Sequence, residues 1–167
     1  MRLADSVTIG NNCTLHSNVV IGDNVVIGPN TTIGFDGFGY TRSSDGSPVK
    51  FTHYGSVRIG NNVEIGANTC IDRGTLGDTV IENDVKIDNL VHVAHNVTIH
   101  SGAFIIASTV LCGSVEIGSN SWIAPNSTVL EKVKIGDSSL VGLAATVLKN
   151  VPDNDVVVGS PARSIKN

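Results

Sequence analysis

Residues Val7–Ile33 have the sequence VTIGNNCTLHSNVVIGDNVVIGPNTTI, in which an aliphatic residue returns at every sixth position. The same register resumes after two interruptions and continues to Val147. A six-residue period fits neither an α-helix nor a coiled coil, and it is typical of a parallel β-helix built from hexapeptide repeats. The twenty aliphatic anchors are Ile9, Leu15, Ile21, Ile27, Ile33, Ile59, Ile65, Ile71 and every sixth residue from Ile81 to Val147.

Each hexapeptide predicts one short strand followed by a corner. The residue two before most anchors is small, and strand side chains alternate between two faces, so that residue and the anchor both face a narrow interior. Gly or Asn follows within the next residues, and we expect these residues to accept the backbone angles of tight corners. Three strands then complete one turn of about eighteen residues, and the chain accommodates roughly seven stacked turns.

Composition places the repeats in one all-β domain over residues 1–167, with a long extruded loop at about 34–58 and a short tail at about 152–167. The net charge is −4, and eleven Lys and Arg are spread along the chain without forming a stripe for a nucleic-acid backbone. No apolar run approaches the roughly 20 residues that span a bilayer, and the start, Met1–Asp5, lacks an apolar stretch of signal-peptide length. We expect a cytoplasmic protein that does not bind nucleic acid.

The three cysteines, Cys13, Cys70 and Cys112, are scattered and lack C-x-x-C spacing. We expect them to be reduced packing residues, and we expect neither a bound metal nor a permanently bound cofactor.

The two interruptions predict where a site lies. Ile33 and Ile59 are 26 residues apart, and Ile71 and Ile81 are ten apart, where an unbroken repeat would place six. If each interruption is a loop leaving one corner, Ile33, Ile71 and Val93 stack in one column. Both loops and the segment after Val93 then share one edge of the coil.

Aromatic and polar residues concentrate at this predicted edge. Five of the seven aromatic residues lie in the long interruption, including Phe38 and Tyr40. Such rings can stack on a sugar or a base, or they can simply close the loop against the scaffold. The polar residues of the edge are Asp72, Arg73, Asp88, Asn89 and His95.

His95 is the candidate base because it lies two residues after an anchor and beside both interruptions. A neutral imidazole is suited to accept a proton from an amine that attacks a thioester. A nearby carboxylate or backbone carbonyl can hold its tautomer, and Asp72 and Asp88 are both candidates for the carboxylate. His16 and His53 are interpreted as ordinary solvated or hydrogen-bonded histidines.

Two segments read IDRGTLGDTVIENDVKIDNLVHVAHN (Ile71–Asn96) and GFDGFGY (Gly34–Tyr40). Both resemble the corresponding parts of the UDP-3-O-(3-hydroxyacyl)glucosamine N-acyltransferases. The resemblance covers roughly Val7–Ser114. It implies a left-handed β-helix, a homotrimer with active sites between subunits, and His95 as the catalytic base. Asp88 and Asn89 correspond to the IDN segment of that family, and its GFGY loop corresponds to Gly37–Tyr40, while Lys132 stands where that family has a second active-site histidine.

Two later segments are similar instead to acetyltransferases of sugars and nucleotide-linked amino sugars. They lie within Trp122–Arg163 and read WIAPNSTVLEKVKIGDSSLVGLAATVLKNVP and VVVGSPAR. That similarity implies that Gly159–Arg163 adjoins a coenzyme A site. Arg163 and Lys166 are then candidate phosphate contacts. Backbone N–H groups near Gly113, one turn above His95, are candidates for stabilising an oxyanion.

The predicted function is transfer of an acyl group from a coenzyme A thioester to the amino group of a nucleotide-linked amino sugar. An acyl carrier protein remains open as the donor, as do the sugar, the acyl length and acylation of an oxygen. A second hypothesis is a zinc hydratase, because His95 and His100 have the H-x4-H spacing of γ-class carbonic anhydrases, which are also hexapeptide trimers. A third is a non-catalytic trimeric module.

Overall fold

One short strand per hexapeptide is the building unit of the computed structural model, which describes residues 1–166. Asn167, the last residue of the predicted tail, lies outside the described residues. In chain order the strands are β1 (Arg2–Leu3), β2 (Thr8–Ile9), β3 (Thr14–Leu15), β4 (Val20–Ile21), β5 (Val26–Ile27), β6 (Thr32–Asp36), β7 (Tyr40–Arg42), β8 (Pro48–Lys50), β9 (Val57–Ile59), β10 (Glu64–Ile65), β11 (Cys70–Arg73), β12 (Thr79–Ile81), β13 (Lys86–Ile87), β14 (His92–Val93), β15 (Thr98–Ile99), β16 (Phe104–Ile105), β17 (Val110–Leu111), β18 (Glu116–Ile117), β19 (Trp122–Ile123), β20 (Thr128–Val129), β21 (Lys134–Ile135), β22 (Leu140–Val141), β23 (Thr146–Val147), β24 (Val156–Val158) and β25 (Arg163–Ser164).

Three sheets run along the coil, because each strand pairs with the strand one turn away. The first sheet has seven strands in the order β1-β4-β9-β12-β15-β18-β21. The second has nine in the order β2-β5-β10-β13-β16-β19-β22-β24-β25, and the third has seven in the order β23-β20-β17-β14-β11-β6-β3. Pairing within these sheets is parallel except between β24 and β25, which confirms the predicted all-β parallel solenoid. Residues 1–166 contain no helix with the length and hydropathy needed to cross a membrane.

The anchors fill the interior as predicted. Ile33, Ile71 and Ile99 are fully buried, whereas Ile9 is exposed in the first coil. Hydroxyl groups occupy some of the small inward positions, and they bond to backbone carbonyls of a neighbouring coil: Thr31 Oγ1 donates to Gly66 O at 2.8 Å and Ser127 Oγ to Gly142 O at 3.0 Å. Such pairing removes the cost of burying a polar group.

The corners correct one prediction. Asn12, Asn18 and Asn24, three residues after successive anchors, have φ between 56° and 68°, the left-handed region that Asn tolerates. Gly10, Gly22 and Gly60, which directly follow anchors, do not have positive φ, whereas Gly34, where the long interruption begins, does at 87°. A Cβ at Gly10 would lie 2.6 Å from Pro29 N in the next coil, so glycine is required here by the close stacking of the coils and not by backbone angles.

The column of Ile33, Ile71 and Val93 is confirmed, because Ile71 pairs with Ile33 on one side and with Val93 on the other. The long interruption contains β7 and β8, which form a separate antiparallel two-stranded sheet. The two interruptions bond to each other through Tyr54 N, which donates to Thr75 O at 2.7 Å. We use the term histidine edge for residues 34–56, 72–78, 94–96 and 112–114, where the chain passes from the third sheet to the first.

Candidate active site

His95 follows β14 and is half-buried at the centre of the histidine edge. The long interruption approaches it through Gly37, and the shorter interruption begins at Asp72. A Cβ at Gly37 would lie 3.1 Å from Asp72 Oδ2 and 3.1 Å from both Cβ and Cδ2 of His95. The lack of a side chain at Gly37 therefore lets the long interruption lie directly against the imidazole and the carboxylate.

Asn96 determines which nitrogen of His95 carries the proton. Asn96 Oδ1 lies 3.1 Å from His95 Nδ1 and accepts hydrogen bonds from the backbone N–H of Thr75 at 3.0 Å and from its hydroxyl at 2.9 Å. Because a backbone N–H can only donate, the amide oxygen of Asn96 must face Thr75, and His95 Nδ1 must then be the donor. The lone pair of the neutral ring is therefore on Nε2. The tautomer is held by Asn96, and not by Asp72 or Asp88 as the sequence suggested.

Gly113 lies against the Nε2 side of this ring. A Cβ at Gly113 would be 2.8 Å from His95 Nε2 and 2.6 Å from its Cε1. The two residues are held in adjacent coils by the Ser114 N–H, which donates to His95 O at 2.9 Å. The stacking of Gly113 over His95 is thus confirmed, and Nε2 of His95 faces backbone with no intervening side chain.

His53 is a member of the site that sequence analysis missed. Its side chain is buried, with the residue 3% exposed, and its ring centroid lies 5.5 Å from that of His95. Nδ1 lies 3.0 Å from Phe51 O, while Nε2 is buried and has no hydrogen-bond partner among residues 1–166. His53 lies in the long interruption, outside the hexapeptide register, so no periodic signal could have assigned its direction.

Asp72 is a nearly buried carboxylate, 5% exposed. Burial raises the pKa of Asp72 above its ordinary value, although His92, Cys70, His95 and His53 act in the opposite direction. Its Oδ2 lies 3.8 Å from His92 Nε2, and its Oδ1 lies 3.8 Å from the Cys70 thiol. Burial, together with the negative charge of Asp72, raises the pKa of Cys70 to about 11.

Three further candidates lie on the histidine edge in different environments. Arg73 donates from Nε to Gly34 O at 2.6 Å and lies 3.7 Å from Asp36, so its guanidinium holds the base of the long interruption. Phe38 and Tyr40 have ring centroids 5.1 Å apart, and Phe38 is 86% exposed. These two rings form an exposed aromatic surface on the long interruption.

Asp88 and Asn89 are not brought to His95 within one chain. They follow β13 of the second sheet, whereas His95 follows β14 of the third, so they lie on a different edge of the coil. Asp88 Oδ1 accepts hydrogen bonds from the backbone N–H and the side-chain amide of Asn89 at 2.7 and 2.8 Å, and Asn89 Oδ1 accepts from Ala67 N at 2.7 Å.

Arg163 and Lys166 lie at the carboxyl-terminal end of the coil. The backbone beside them turns at Gly159, whose carbonyl accepts the Thr146 N–H at 3.0 Å. Arg163 Nη1 donates to Ala162 O at 2.8 Å, and the Lys166 ammonium contacts the carbonyl of Asn154. Arg163 also lines a cavity with Leu148, Lys149 and Val157. The chain therefore does not place either cation beside His95.

His95 and His100 are also on different edges, despite the H-x4-H spacing. His100 follows β15 of the first sheet, and its Nδ1 and Nε2 lie 3.0 Å from Glu82 and 3.3 Å from Glu116. Burial opposes protonation, but the two carboxylates raise the pKa of His100 above its ordinary value. The two histidines do not form a joint metal site within one chain.

The chain is similar in sequence and in fold to known proteins. Residues 2–35 and 78–113 match the bacterial transferase hexapeptide family (six repeats). The chain is 47% identical over 84 residues to UDP-3-O-acylglucosamine N-acyltransferase 2 of Legionella pneumophila (strain Paris), a match that covers 50% of this chain and 24% of that protein. It is 45% identical over 84 residues to the UDP-3-O-acylglucosamine N-acyltransferase of Chlorobium chlorochromatii (strain CaD3), covering 50% and 23%. The matched part thus spans about a quarter of the length of these relatives.

Solved structures show the same fold over almost the whole chain. The UDP-N-acetylglucosamine acyltransferase of Francisella novicida superposes with a TM-score of 0.81 at 27% identity, covering 98% of this chain and 64% of that one. The corresponding enzyme of Bacteroides fragilis gives a TM-score of 0.78 at 21% identity, covering 98% and 71%. The chain therefore has the fold of a hexapeptide-repeat β-helix, and over 50% of its length it is similar to the UDP-3-O-acylglucosamine N-acyltransferases.

Proposed function

We propose that this chain is an acyltransferase that moves an acyl group from a thioester donor to the amino group of a nucleotide-linked amino sugar. The observation that carries the proposal is the His95 imidazole, whose Nδ1 is held as a donor by Asn96 at 3.1 Å and whose Nε2 faces Gly113. The relatives described above are named as acyltransferases of UDP-linked glucosamine derivatives, which supports the substrate class.

In this proposal Nε2 of His95 removes a proton from the substrate amine as its nitrogen attacks the thioester carbonyl. The amine forms a bond to the carbonyl carbon, the thiol of the donor leaves, and the proton passes from the imidazolium to the leaving thiolate. Asn96 keeps Nδ1 protonated throughout, and the nearby Asp72 carboxylate favours the positive charge that the ring acquires. Backbone N–H groups near Gly113 are the proposed donors to the tetrahedral oxyanion.

The nucleotide-linked sugar is proposed to bind between His95 and the long interruption. Phe38 and Tyr40 present aromatic faces there, and such faces stack on the planar base or on the apolar face of a sugar. Asp72 lies within reach of the same space and can accept hydrogen bonds from sugar hydroxyls.

The proposed donor is a coenzyme A thioester, with acyl carrier protein as the alternative. Arg163 and Lys166 are the proposed phosphate contacts, since both are exposed cations near the carboxyl-terminal end of the coil. Because they lie away from His95 within the chain, this assignment requires the donor to extend along the coil or to be bound across two subunits.

A homotrimer is part of the proposal. Phe104, Trp122 and Leu140 are consecutive outward residues of the second sheet, and all three are exposed. The rings of Phe104 and Trp122 lie 5.5 Å apart. A contiguous exposed apolar column of this kind marks a protein interface, and a neighbouring copy can cover it. The neighbour's edge could then bring Asp88 and Asn89 to the site of the next subunit.

The test is a matrix of acyl donors and amino-sugar acceptors, with product formation followed by mass spectrometry. The donors are acetyl and longer-chain coenzyme A thioesters and acyl carrier protein thioesters, and the acceptors are UDP- and GDP-linked amino sugars with their hydroxyl analogues. We expect a product mass increased by one acyl group with at least one donor. His95→Ala should lower turnover about 10²- to 10⁴-fold.

The matched control is His100→Gln, which changes a histidine on another edge of the same coil and should leave turnover close to that of the parent protein. Near-full turnover in His95→Ala would exclude His95 as the base. Absence of acyl transfer from every donor would contradict the proposed reaction.

A further inference from the structure

The coil brings Cys70, Asp72 and His92 together. Their spacing along the chain matches no common metal-binding motif, because His92 is 22 residues after Cys70. Cys70 and Asp72 lie two residues apart in β11, so both point to the outer face of the third sheet. His92 of β14 pairs directly with Cys70 in the parallel register, one turn along the coil. Three different ligand types therefore meet on one surface.

The distances approach those of a metal site. Asp72 Oδ1 lies 3.8 Å from Cys70 Sγ, Asp72 Oδ2 lies 3.8 Å from His92 Nε2, and the ligand atoms of all three residues lie within 4.8 Å of one another. Bond lengths of about 2.0–2.3 Å around a tetrahedral Zn²⁺ place neighbouring ligand atoms about 3.3–3.6 Å apart. Small side-chain rotations would close this gap, because the backbones of β11 and β14 already hold the residues side by side.

The Asp72 carboxylate also lacks the partners that a buried carboxylate normally has. It is 5% exposed, yet its hydrogen-bond donor among residues 1–166 is the Cys70 thiol at 3.8 Å. The separation of 3.8 Å from His92 Nε2 exceeds the 2.7–3.2 Å typical of an N–H···O hydrogen bond. A buried carboxylate is ordinarily satisfied by hydrogen bonds, ions or metals, so this group is placed to accept a cation.

We propose that Cys70, Asp72 and His92 form a binding site for Zn²⁺, with one coordination position left open. Thiolate and imidazole favour Zn²⁺ over Mg²⁺ or Ca²⁺, which prefer oxygen ligands. The ion replaces the thiol proton of Cys70, which passes to solvent, and it binds the imidazole through the unprotonated Nε2. The open position faces solvent, because the His92 side chain is 43% exposed. This proposal does not rest on the proposed acyl transfer, and while the ion is bound the Asp72 carboxylate is not free to offset the charge of the His95 ring.

The experiment uses Co²⁺ as a spectroscopic substitute for Zn²⁺ in the full chain, purified with its thiols reduced. We expect one equivalent of Co²⁺ to produce a near-ultraviolet sulfur-to-cobalt charge-transfer band and visible bands of tetrahedral cobalt. One equivalent of Zn²⁺ should then abolish both. Plasma emission spectrometry after dialysis against Zn²⁺ should give one Zn²⁺ per chain.

Variants separate the proposed ligands from other thiols and imidazoles. Cys70→Ser should lose the charge-transfer band, and His92→Gln should weaken binding at least about 10-fold. Cys112→Ser is the matched control and should keep the full spectrum. Cys112 is another free, half-buried cysteine, and it lies on the histidine edge. Far-ultraviolet circular dichroism checks that each variant is folded.

The site is excluded if the parent chain gives no charge-transfer band and retains no Zn²⁺. It is equally excluded if Cys112→Ser removes the band while Cys70→Ser retains it. Because stoichiometry and spectrum are measured without any acyl substrate, failure of this proposal and failure of the proposed reaction give different results.

Discussion

Asn96 Oδ1 lies 3.1 Å from His95 Nδ1 and accepts two hydrogen bonds from Thr75 at 2.9 and 3.0 Å. His95 and Asn96, neighbours in one corner, are thus connected by hydrogen bonds to Thr75 of the shorter interruption. These bonds place the proton of the neutral imidazole on Nδ1 of His95. The orientation of the candidate base depends on a loop that lies outside the repeat, although the base itself is in register with it.

Asn96 should act as a positioning residue for His95. We expect Asn96→Ala to lower kcat about 10- to 100-fold, because an acceptor that holds a tautomer is lost. Nitrogen-15 chemical shifts of His95 should change from a single Nδ1–H tautomer to a mixture. Asn96→Asp keeps an acceptor and should keep the tautomer.

Asn96 has φ of 60°, a conformation that Ala144 also adopts at 52°, so the alanine variant is expected to fold. Unchanged nitrogen shifts in Asn96→Ala would contradict the assignment.

Gly113 should tolerate no side chain without displacing His95. An added Cβ would lie 2.6 Å from His95 Cε1, well inside van der Waals contact. We therefore expect Gly113→Ala to reduce turnover at least about 10-fold while the thermal midpoint changes little, because the ring can rotate outward. Gly77→Ala is the control on the same edge, since its Cβ would meet only Asn96 Nδ2 at 3.7 Å. Equal turnover in the two variants would show that the ring position is unimportant.

The His100 network predicts a pH-dependent contribution to stability. The carboxylates of Glu82 and Glu116 raise the pKa of His100 above 6.5, so this contribution is complete below pH 6.5 and is lost as the pH rises through the raised value. His100 in turn helps to lower the pKa of Glu82 and Glu116 below 4.5, and their contribution is lost as the pH falls through the lowered values. The network therefore stabilises most between these limits.

Guanidinium denaturation of the parent protein and of His100→Gln measures this effect. The difference in midpoint should be larger at about pH 5.5 than at about pH 8.5. His16→Gln is the control, because the His16 ring packs against Phe35 at 5.2 Å. A His100→Gln difference that is the same at both pH values would rule out the ion-pair explanation.

Trp122 should be required for the proposed trimer. It is 44% exposed and lies in the apolar column between Phe104 and Leu140. Placing a charge in that column would bury an unpaired carboxylate on assembly, which costs several kcal/mol. We expect Trp122→Glu to elute as a monomer in size-exclusion chromatography with light scattering, while Trp122→Phe elutes with the parent protein. A trimeric Trp122→Glu protein would place the interface elsewhere.

Much of the fold follows from local patterns. The column of Ile33, Ile71 and Val93 was predictable because a strict period leaves a single way to stack coils across the two interruptions. The contact between Gly113 and His95 was predictable for the same reason, since the residues are one turn apart. The prediction that Gly10 serves a special backbone angle was wrong, because close stacking of the coils requires glycine there. The sequence shows that a residue is small, but it does not show whether the backbone angle or the available space requires glycine.

The site was predicted less completely. His95 could be selected from its register and from the resemblance of its segment, but His53 could not, because irregular loops have no period that orients their side chains. Asp88 was placed too close to His95, since nearness in the chain is not nearness around a three-sided coil. Cys70 was interpreted as a packing residue alone, and its pairing with His92 depends on a register that the short interruption shifts by four residues.

The hexapeptide register alone was sufficient to establish the parallel coil, its aliphatic interior and the edge from which both interruptions emerge, because these depend on short-range periodicity. Folding in three dimensions was needed to establish the Asn96–His95 hydrogen bond, the burial of Asp72 and the meeting of Cys70 with His92. These contacts depend on which residues of successive coils and loops meet, and that is set by how the interruptions pack against the coil and not by any spacing along the chain.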